Sequence, residues 1–200
     1  MTSIYFVRHA QPIHSWEDDR SRPLSPEGIE DSKQVTGMLK AVAIDRFISS
    51  PYRRSINTIA GSAVWYNKQI QTDERFRERK SGRGSNNFDM IRKRWDNFNF
   101  CEEEGETLGS VQARNIEALQ ELLCSYPDRK LVIGTHGTAL STILNYYDRS
   151  FLCEDFFRII DYMPYIIRLD FAGSELVAKE EILIVEKQYN AGLLTEREIK

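Results

Sequence analysis

Three short apolar runs each lead straight into a polar turn and then a helix-like pattern, and this alternation limits the possible folds most. Ser3–Val7, Phe47–Ser50 and Lys130–Thr135 are too brief for buried helices and rich in branched or aromatic residues, so they read as buried strands. Strands that alternate with helices imply a helix-covered, mostly parallel sheet. Near the end, Tyr165–Phe171 and Leu176–Val185 flank the turn Ala172-Gly173-Ser174 and read as a hairpin that adds antiparallel strands.

The helices carry their own signals. Ser25 before Pro26 is an N-cap followed by proline at the first helical position. That helix is expected to run to about Ala41, with Ile29, Val35, Met38 and Leu39 inward. Pro51 opens a second helix at a first-turn position, and Ser55–Tyr66 completes it. Ile70–Thr72 is a candidate third strand. Val111, Ile116, Leu119, Leu122 and Leu123 recur at helical spacing within 107–125, and Gly137–Tyr147 forms the helix after the strand at Lys130. Residues 73–106 read as irregular and polar, and 186–200 as a polar tail.

The chain of 200 residues suits one domain, 1–200, with 73–106 as an insert. A net charge of −3 gives no general reason to expect nucleic acid or an anionic membrane as partner. Cys101, Cys124 and Cys153 are odd in number and far apart, which suits a reducing cytoplasm better than a disulfide framework. No apolar stretch approaches the length of a membrane span. The expectation is a soluble cytoplasmic protein, monomeric or homodimeric, the terminal hairpin offering an edge for pairing.

The chemistry gathers where strands end, which in open α/β sheets is where ligands bind. Arg8-His9 follows the first strand. Arginine grips phosphoryl oxygens with a planar fork of donors, and histidine can attack phosphorus. Arg53-Arg54 follows the second strand. Helical residues point about 100° apart, so only one of them need face the first site. Gly134-Thr135-His136-Gly137 repeats the first design after the central strand, with Gly137 allowing close backbone approach and the next helix offering N–H groups to an anion. Glu78-Arg79 lies in the insert. From Arg75 to Arg94 eight basic residues face only Glu78 and Asp89, which suggests an anionic partner or a solvated loop. Glu102-Glu103-Glu104 could neutralise part of that charge. His14 either reaches the site mouth or is an ordinary loop residue. Phe76, Phe88, Trp95, Phe98 and Phe100 either line an apolar lip or pack inside. No glycine-rich nucleotide loop and no metal-ligand spacing occurs, and clustered arginines would repel a metal ion.

These landmarks together resemble the histidine phosphatase superfamily, which includes phosphoglycerate mutases and many small phosphatases. Arg8-His9-Ala10 is similar to its Arg-His-Gly/Ala signature. Ser49-Ser50-Pro51 through Arg54 to Asn57-Thr58 is similar to its Ser-Ser-Pro run. Glu78-Arg79 with Gly82 resembles Glu-Arg-x-x-Gly, and Thr135-His136-Gly137 resembles Ser/Thr-His-Gly. Gly105-Glu106-Thr107 matches a lesser pattern. The resemblance spans about 2–171 and implies a three-layer α/β/α sandwich with a mostly parallel central sheet, of the phosphoglycerate mutase type.

The resemblance also assigns roles. His9 would become phosphohistidine. Arg8, Arg54 and His136 would surround the phosphoryl oxygens, with Arg79 and Gly137 also on the phosphate. Glu78 would protonate the leaving alcohol and then activate water. Arg54 rather than Arg53 aligns with the family position. Gln11 departs from the Glu that many members carry, Ala10 from Gly, Ser55 from Ala and Asn57 from Gln. Only 57 residues separate Glu78 from His136, and the mutases carry a longer insert there, which retains substrate and excludes water. The implied activity is therefore hydrolysis of a small phosphorylated metabolite, independent of metal and cofactor. The alternatives are a phosphoglycerate-type mutase and a feebly active protein that binds phosphate esters for regulation.

Overall fold

The computed structural model describes residues 1–83 and 87–187. The order is β1 (Thr2–Arg8), α1 (Pro26–Leu39), β2 (Arg46–Ser49), α2 (Arg53–Trp65) and β3 (Ile70–Thr72), then a 3₁₀ turn at Glu74–Phe76. There follow α3 (Phe88–Asp96), α4 (Leu108–Ser125), β4 (Lys130–Thr135), α5 (Gly137–Tyr147), α6 (Cys153–Ile159), β5 (Tyr162–Ala172) and β6 (Glu175–Glu186). The strands form one sheet in the order β3-β2-β4-β1-β5-β6. β1 to β4 pair in parallel, and the hairpin β5–β6 adds the antiparallel side.

The period of two along the strands divides the core into two layers of packing. Ile4 and Phe6 of β1 join Leu131 and Ile133 of β4 beneath α4, α5 and α6. Tyr5 and Val7 point the other way, with Val132, against Val35 and Leu39 of α1 and Ile59 and Ala63 of α2. Both faces are covered, so the central strands are buried at nearly every position.

The Ser25 Oγ accepts from the Gly28 N–H at 3.0 Å, as an N-cap does. A Cβ on Gly28 would stand 2.1 Å from the Gln11 carbonyl oxygen, so glycine lets α1 start against the loop that follows β1. The expected inner face of α1 needs correction. Val35 and Leu39 are buried, but Ile29 and Met38 are exposed, at 51% and 41%. At about 100° per residue they fall on opposite flanks of the stripe through Val35, so neither faces the sheet. α1 also ends at Leu39, short of Ala41.

Pro51 lies before α2 rather than in its first turn, and Tyr52 is the N-cap. The insert 73–106 is less irregular than its polarity suggests. It holds the 3₁₀ turn and α3, whose Ile91, Arg94 and Trp95 are buried. α3 escapes a hydrophobic count because one of its inward residues is an arginine, neutralised by Glu102 from beyond the helix. Helix α6 has only seven residues, too short for a helical period to show in the sequence. Residues 188–200 of the polar tail lie outside the described residues.

Candidate active site

The parallel pairing of β1 with β4 sets Arg8 opposite Thr135, so the two strands deliver their histidines side by side. The His9 N–H donates to the Thr135 carbonyl at 3.1 Å, and the two imidazole rings meet edge to face with centroids 5.2 Å apart. Both residues are buried. The His9 Nδ1 stands 2.8 Å from the Ala10 carbonyl oxygen, which can only accept. Nδ1 therefore carries the hydrogen, and in the neutral ring the lone pair is left on Nε2.

Of the arginine pair on α2, Arg53 is exposed and Arg54 is buried. The Arg54 Nη1 donates to the Asp19 carbonyl at 2.6 Å and to its carboxylate at 3.0 Å, while its guanidinium lies 4.9 Å from the Tyr52 ring. Thr58, one turn further, accepts from the Ala10 N–H at 2.9 Å and donates to the Arg54 carbonyl at 2.7 Å. A single hydroxyl thus ties the turn after His9 to the helix that carries Arg54. Arg8 reaches the far side, where its Nη1 donates to the carbonyls of Ile159 at 2.6 Å and Tyr162 at 3.0 Å. Its guanidinium lies against the start of α5. A Cβ on Gly137 would be 3.2 Å from the Arg8 Nε, so Gly137 makes room for the arginine.

His136 is held differently from His9. Its Nε2 stands 2.7 Å from the Ser50 Oγ, at the end of the neighbouring strand β2. Its Nδ1 is buried with no hydrogen-bond partner among the described residues. Burial lowers the pKa of both imidazoles well below the usual histidine range; Arg54 and Arg8 lower His9 further, and Arg54, His9, Arg114 and Arg8 lower His136 further. Without a ligand, both rings are neutral. His14, at the mouth of the cleft, is lowered too, by partial desolvation and then by Arg22, Arg54 and Arg8.

The Glu78 carboxylate sits on the opening turn of α5. One oxygen accepts from the Thr138 N–H at 3.0 Å, and the other from Ala139 at 3.2 Å and from its own neighbour Arg79 at 2.8 Å. The helix N-terminus expected to attract an anion holds this carboxylate. Arg79 lines the cleft, but its Nη1 is engaged by the Glu102 carboxylate at 3.2 Å and by the carbonyls of Lys80 and Glu106. Glu102 also binds Arg94, so one buried carboxylate serves two buried cations.

The same pairing accounts for much of the rest of the basic segment. Arg75 meets Asp73, Glu117 and Glu121, Arg77 meets Glu106, Arg83 meets Glu104 and Arg92 meets Glu154. Arg75 and Arg92 tie the insert to α4 and α6, while Arg77 and Arg83 tie the insert to itself. Of the five aromatic residues read as a possible lip, Trp95 lines the cleft; Phe76 is fully buried and Phe98 packs on Trp95.

Arg8, His9, Arg54, Glu78, Arg79 and Gly137 all border one cleft of about 540 Å³, joined by His14, Asp19, Arg22 and Tyr52. Sequence reasoning missed Ser50 as the partner of His136, Asp19 as the partner of Arg54, and Tyr52, whose ring stands edge to face with His136 at 5.0 Å. Ser50 and Tyr52 belong to a motif that the sequence does single out. Asp19 carries no such signal, because only the loop after β1 brings it to α2. No group of three or more His, Cys, Asp or Glu suited to a metal ion occurs among the described residues.

Residues 4–175 match the family model of the histidine phosphatase superfamily (branch 1), and the chain belongs to that family. A comparison with curated proteins gave no match. Among solved structures it is similar to Bacillus stearothermophilus YhfR, with a TM-score of 0.73 at 21% identity over 89% of this chain and 95% of that one. A mutant phosphoserine phosphatase from Entamoeba histolytica in complex with phosphoserine gives 0.75 at 18% identity over 91% and 97%. The mycobacterial glucosyl-3-phosphoglycerate phosphatase gives 0.70 at 16% identity over 92% and 99%. At these identities the structures show a shared fold. No helix of the described residues is long and apolar enough to cross a membrane.

Proposed function

We propose that the chain is a phosphomonoesterase that hydrolyses a small phosphorylated metabolite through a phosphohistidine on His9. The observation that carries this reading is the His9 ring. It is neutral, its Nδ1 hydrogen is committed to the Ala10 carbonyl, and its Nε2 lone pair is left for attack in a cleft that Arg8 and Arg54 border, beside the ring of His136.

The Nε2 attacks phosphorus as the bond to the ester oxygen breaks, and Glu78, which must enter this half-reaction as the protonated carboxyl, gives its proton to the departing alkoxide. Glu78, now a carboxylate, takes a proton from water as that water attacks the phosphohistidine. The P–N bond breaks, its electrons return to Nε2, and inorganic phosphate leaves. Arg8 and Arg54 offset the charge on the equatorial oxygens, which is the larger part of phosphoryl-transfer catalysis and needs no metal or cofactor when arginines supply it. Arrival of a dianion opposes the repulsion that helps to lower the pKa of His136, so its ring can take a proton and donate to phosphate. Arg79 enters through the position of Glu78 and the cleft wall, since its Nη1 is held by Glu102. The phosphoserine and glucosyl-3-phosphoglycerate phosphatases that share the fold support a small, freely diffusing ester as substrate.

The test is hydrolysis of an aryl phosphate with excess chelator, together with trapping of phosphate-labelled enzyme and treatment with acid or base. Wild type should turn over and carry label that survives base, as a phosphohistidine does, and His9→Ala should do neither. Turnover that survives in His9→Ala, or that chelator abolishes, would overturn the reading.

A further inference from the structure

We propose that Glu106 and Arg114 are positioning residues that fix where the Glu78 carboxyl meets the leaving-group oxygen. The proposal rests on Glu78 being the acid and base of the reading above. Glu106 stands just before the N-cap of α4, and Arg114 lies within that helix. Neither borders the cleft, so neither touches the reacting atoms, and Arg114→Lys keeps the positive charge that Arg114 presents to His136.

Their hydrogen bonds converge on the backbone around Glu78. The Arg114 Nη1 donates to the carbonyls of Arg75 at 2.6 Å and Arg77 at 2.8 Å, and its Nη2 donates to the carbonyl of Glu78 itself at 3.2 Å. The Arg77 Nη1 adds a second donor to that same carbonyl at 3.0 Å. Lys80, two residues on, is held from both sides. Its N–H donates to the Glu106 carboxylate at 3.2 Å, and its carbonyl accepts from the Glu106 N–H at 3.0 Å. The Glu106 carboxylate binds two guanidinium groups, each through two nitrogens: Arg114 at 2.8 and 3.1 Å and Arg77 at 2.7 and 3.1 Å. Such forks fix orientation as well as distance.

Glu78 is therefore tethered at two ends. Its main chain is fastened to α4 through Arg114 and Glu106, and its carboxylate rests on the first N–H groups of α5. Burial alone would raise the Glu106 carboxyl, but its hydrogen bonds from Arg114 and Arg77 hold it at about 2. The clamp stays charged through the whole range in which a carboxyl acid–base works. A displacement of about 1 Å in a positioned acid can cost on the order of 100-fold, which a clamp on three backbone carbonyls would prevent.

A positioning role and a merely structural one differ in how they depend on the leaving group. Dinitrophenolate departs without a proton, whereas an alkoxide needs one from Glu78. The test is kcat/KM along a series from 2,4-dinitrophenyl phosphate through phenyl phosphate to an alkyl phosphate. It is measured on wild type, Glu78→Gln, Glu106→Gln and Arg114→Lys. Glu106→Gln and Arg114→Lys should lose on the order of 100-fold on the alkyl ester and less than about 3-fold on the dinitrophenyl ester. Glu78→Gln combined with Glu106→Gln should lose no more on the alkyl ester than Glu78→Gln alone. If Glu106→Gln does not fold, Arg114→Lys, which keeps the charge, carries the measurement. Equal losses on every ester, or none, would overturn the proposal while a steep Glu78→Gln series left the reading of Glu78 intact. A flat Glu78→Gln series would overturn that reading and the proposal with it.

Discussion

The two walls of the cleft are built by different means. The first wall, where the proposed reaction puts the phosphate, is made at strand ends. Arg8, His9 and His136 leave adjacent parallel strands, and their partners are mostly backbone carbonyls and a serine hydroxyl from the next strand. The opposite wall, from Arg75 to Glu106, is made of ion pairs between side chains 8 to 29 residues apart, with Glu102 and Glu106 each serving two arginines. The sheet fixes the first wall through the main chain, and that places its side chains at the cleft. The second wall uses its charged side chains to hold itself in place. Substitutions at the first should therefore cost activity above all, and loss of a buried ion-pair partner in the second, such as Glu102, should cost stability above all.

Glu102→Ala is the harshest test of that contrast. It leaves Arg79 and Arg94 buried without their shared carboxylate, and removing one partner of a buried ion pair costs about 3–5 kcal/mol. Urea unfolding near neutral pH measures it. Arg54→Lys should instead reduce kcat/KM by about 100-fold, close to 2.7 kcal/mol, because an ammonium cannot grip two phosphoryl oxygens at once. If Arg54→Lys proves more destabilising than Glu102→Ala, the division between the walls fails.

A smaller effect sharpens the picture of the first wall. Ser50→Ala removes one hydrogen bond to His136, worth about 1 kcal/mol, and should lower kcat/KM by roughly 5-fold while leaving the amount of phosphoenzyme per active site unchanged. Burst amplitude and turnover on one aryl ester report both quantities.

The smallest effect separates the walls by pH. His9 and His136 have lowered pKa values in the fold, so below about 6.5 the unfolded chain holds more protons than the native one. Stability should then fall as pH drops from about 6.5 toward the depressed values. Inorganic phosphate, by favouring the charged rings, should reduce that fall and take up protons on binding. The opposite wall responds lower. Glu106, held at about 2, contributes stability that is complete above the ordinary carboxylate range and lost as pH falls from there toward 2. Thermal melting from about pH 7.5 to about pH 5.5, with and without phosphate, tests the histidines. A melting temperature that is flat over that range in the absence of phosphate would contradict their depressed values.

The legibility of the chain follows the same division. Strand ends are local: an apolar run, a charged or imidazole residue and a helix start are neighbours in sequence, so Arg8-His9 and Thr135-His136-Gly137 can be placed from the sequence. The choice of Arg54 over Arg53 comes from the motif and agrees with which of the two is buried. Ion pairs are not local. That Glu102-Glu103-Glu104 could offset the basic segment is legible, but that Glu102 takes Arg79 and Arg94 is not, and that is why α3 passes for loop and Arg79 for a simple phosphate ligand. Ile29 and Met38 mislead for another reason, since a helix of mixed composition does not reveal which of several apolar stripes meets the sheet.

By itself the sequence determined the alternation of strand and helix, the parallel sheet, the family, and the identities of the groups at the strand ends. These depend on hydrophobic period and on short contiguous motifs, which act over a few residues of chain. Only the tertiary structure decided that Ser50 meets His136, that Asp19 engages Arg54, and that Glu106 and Arg114 clamp the backbone that carries Glu78. Those contacts join side chains brought together by strand order and helix packing, and a charged residue has no sequence signal for its partner until the fold removes both from water.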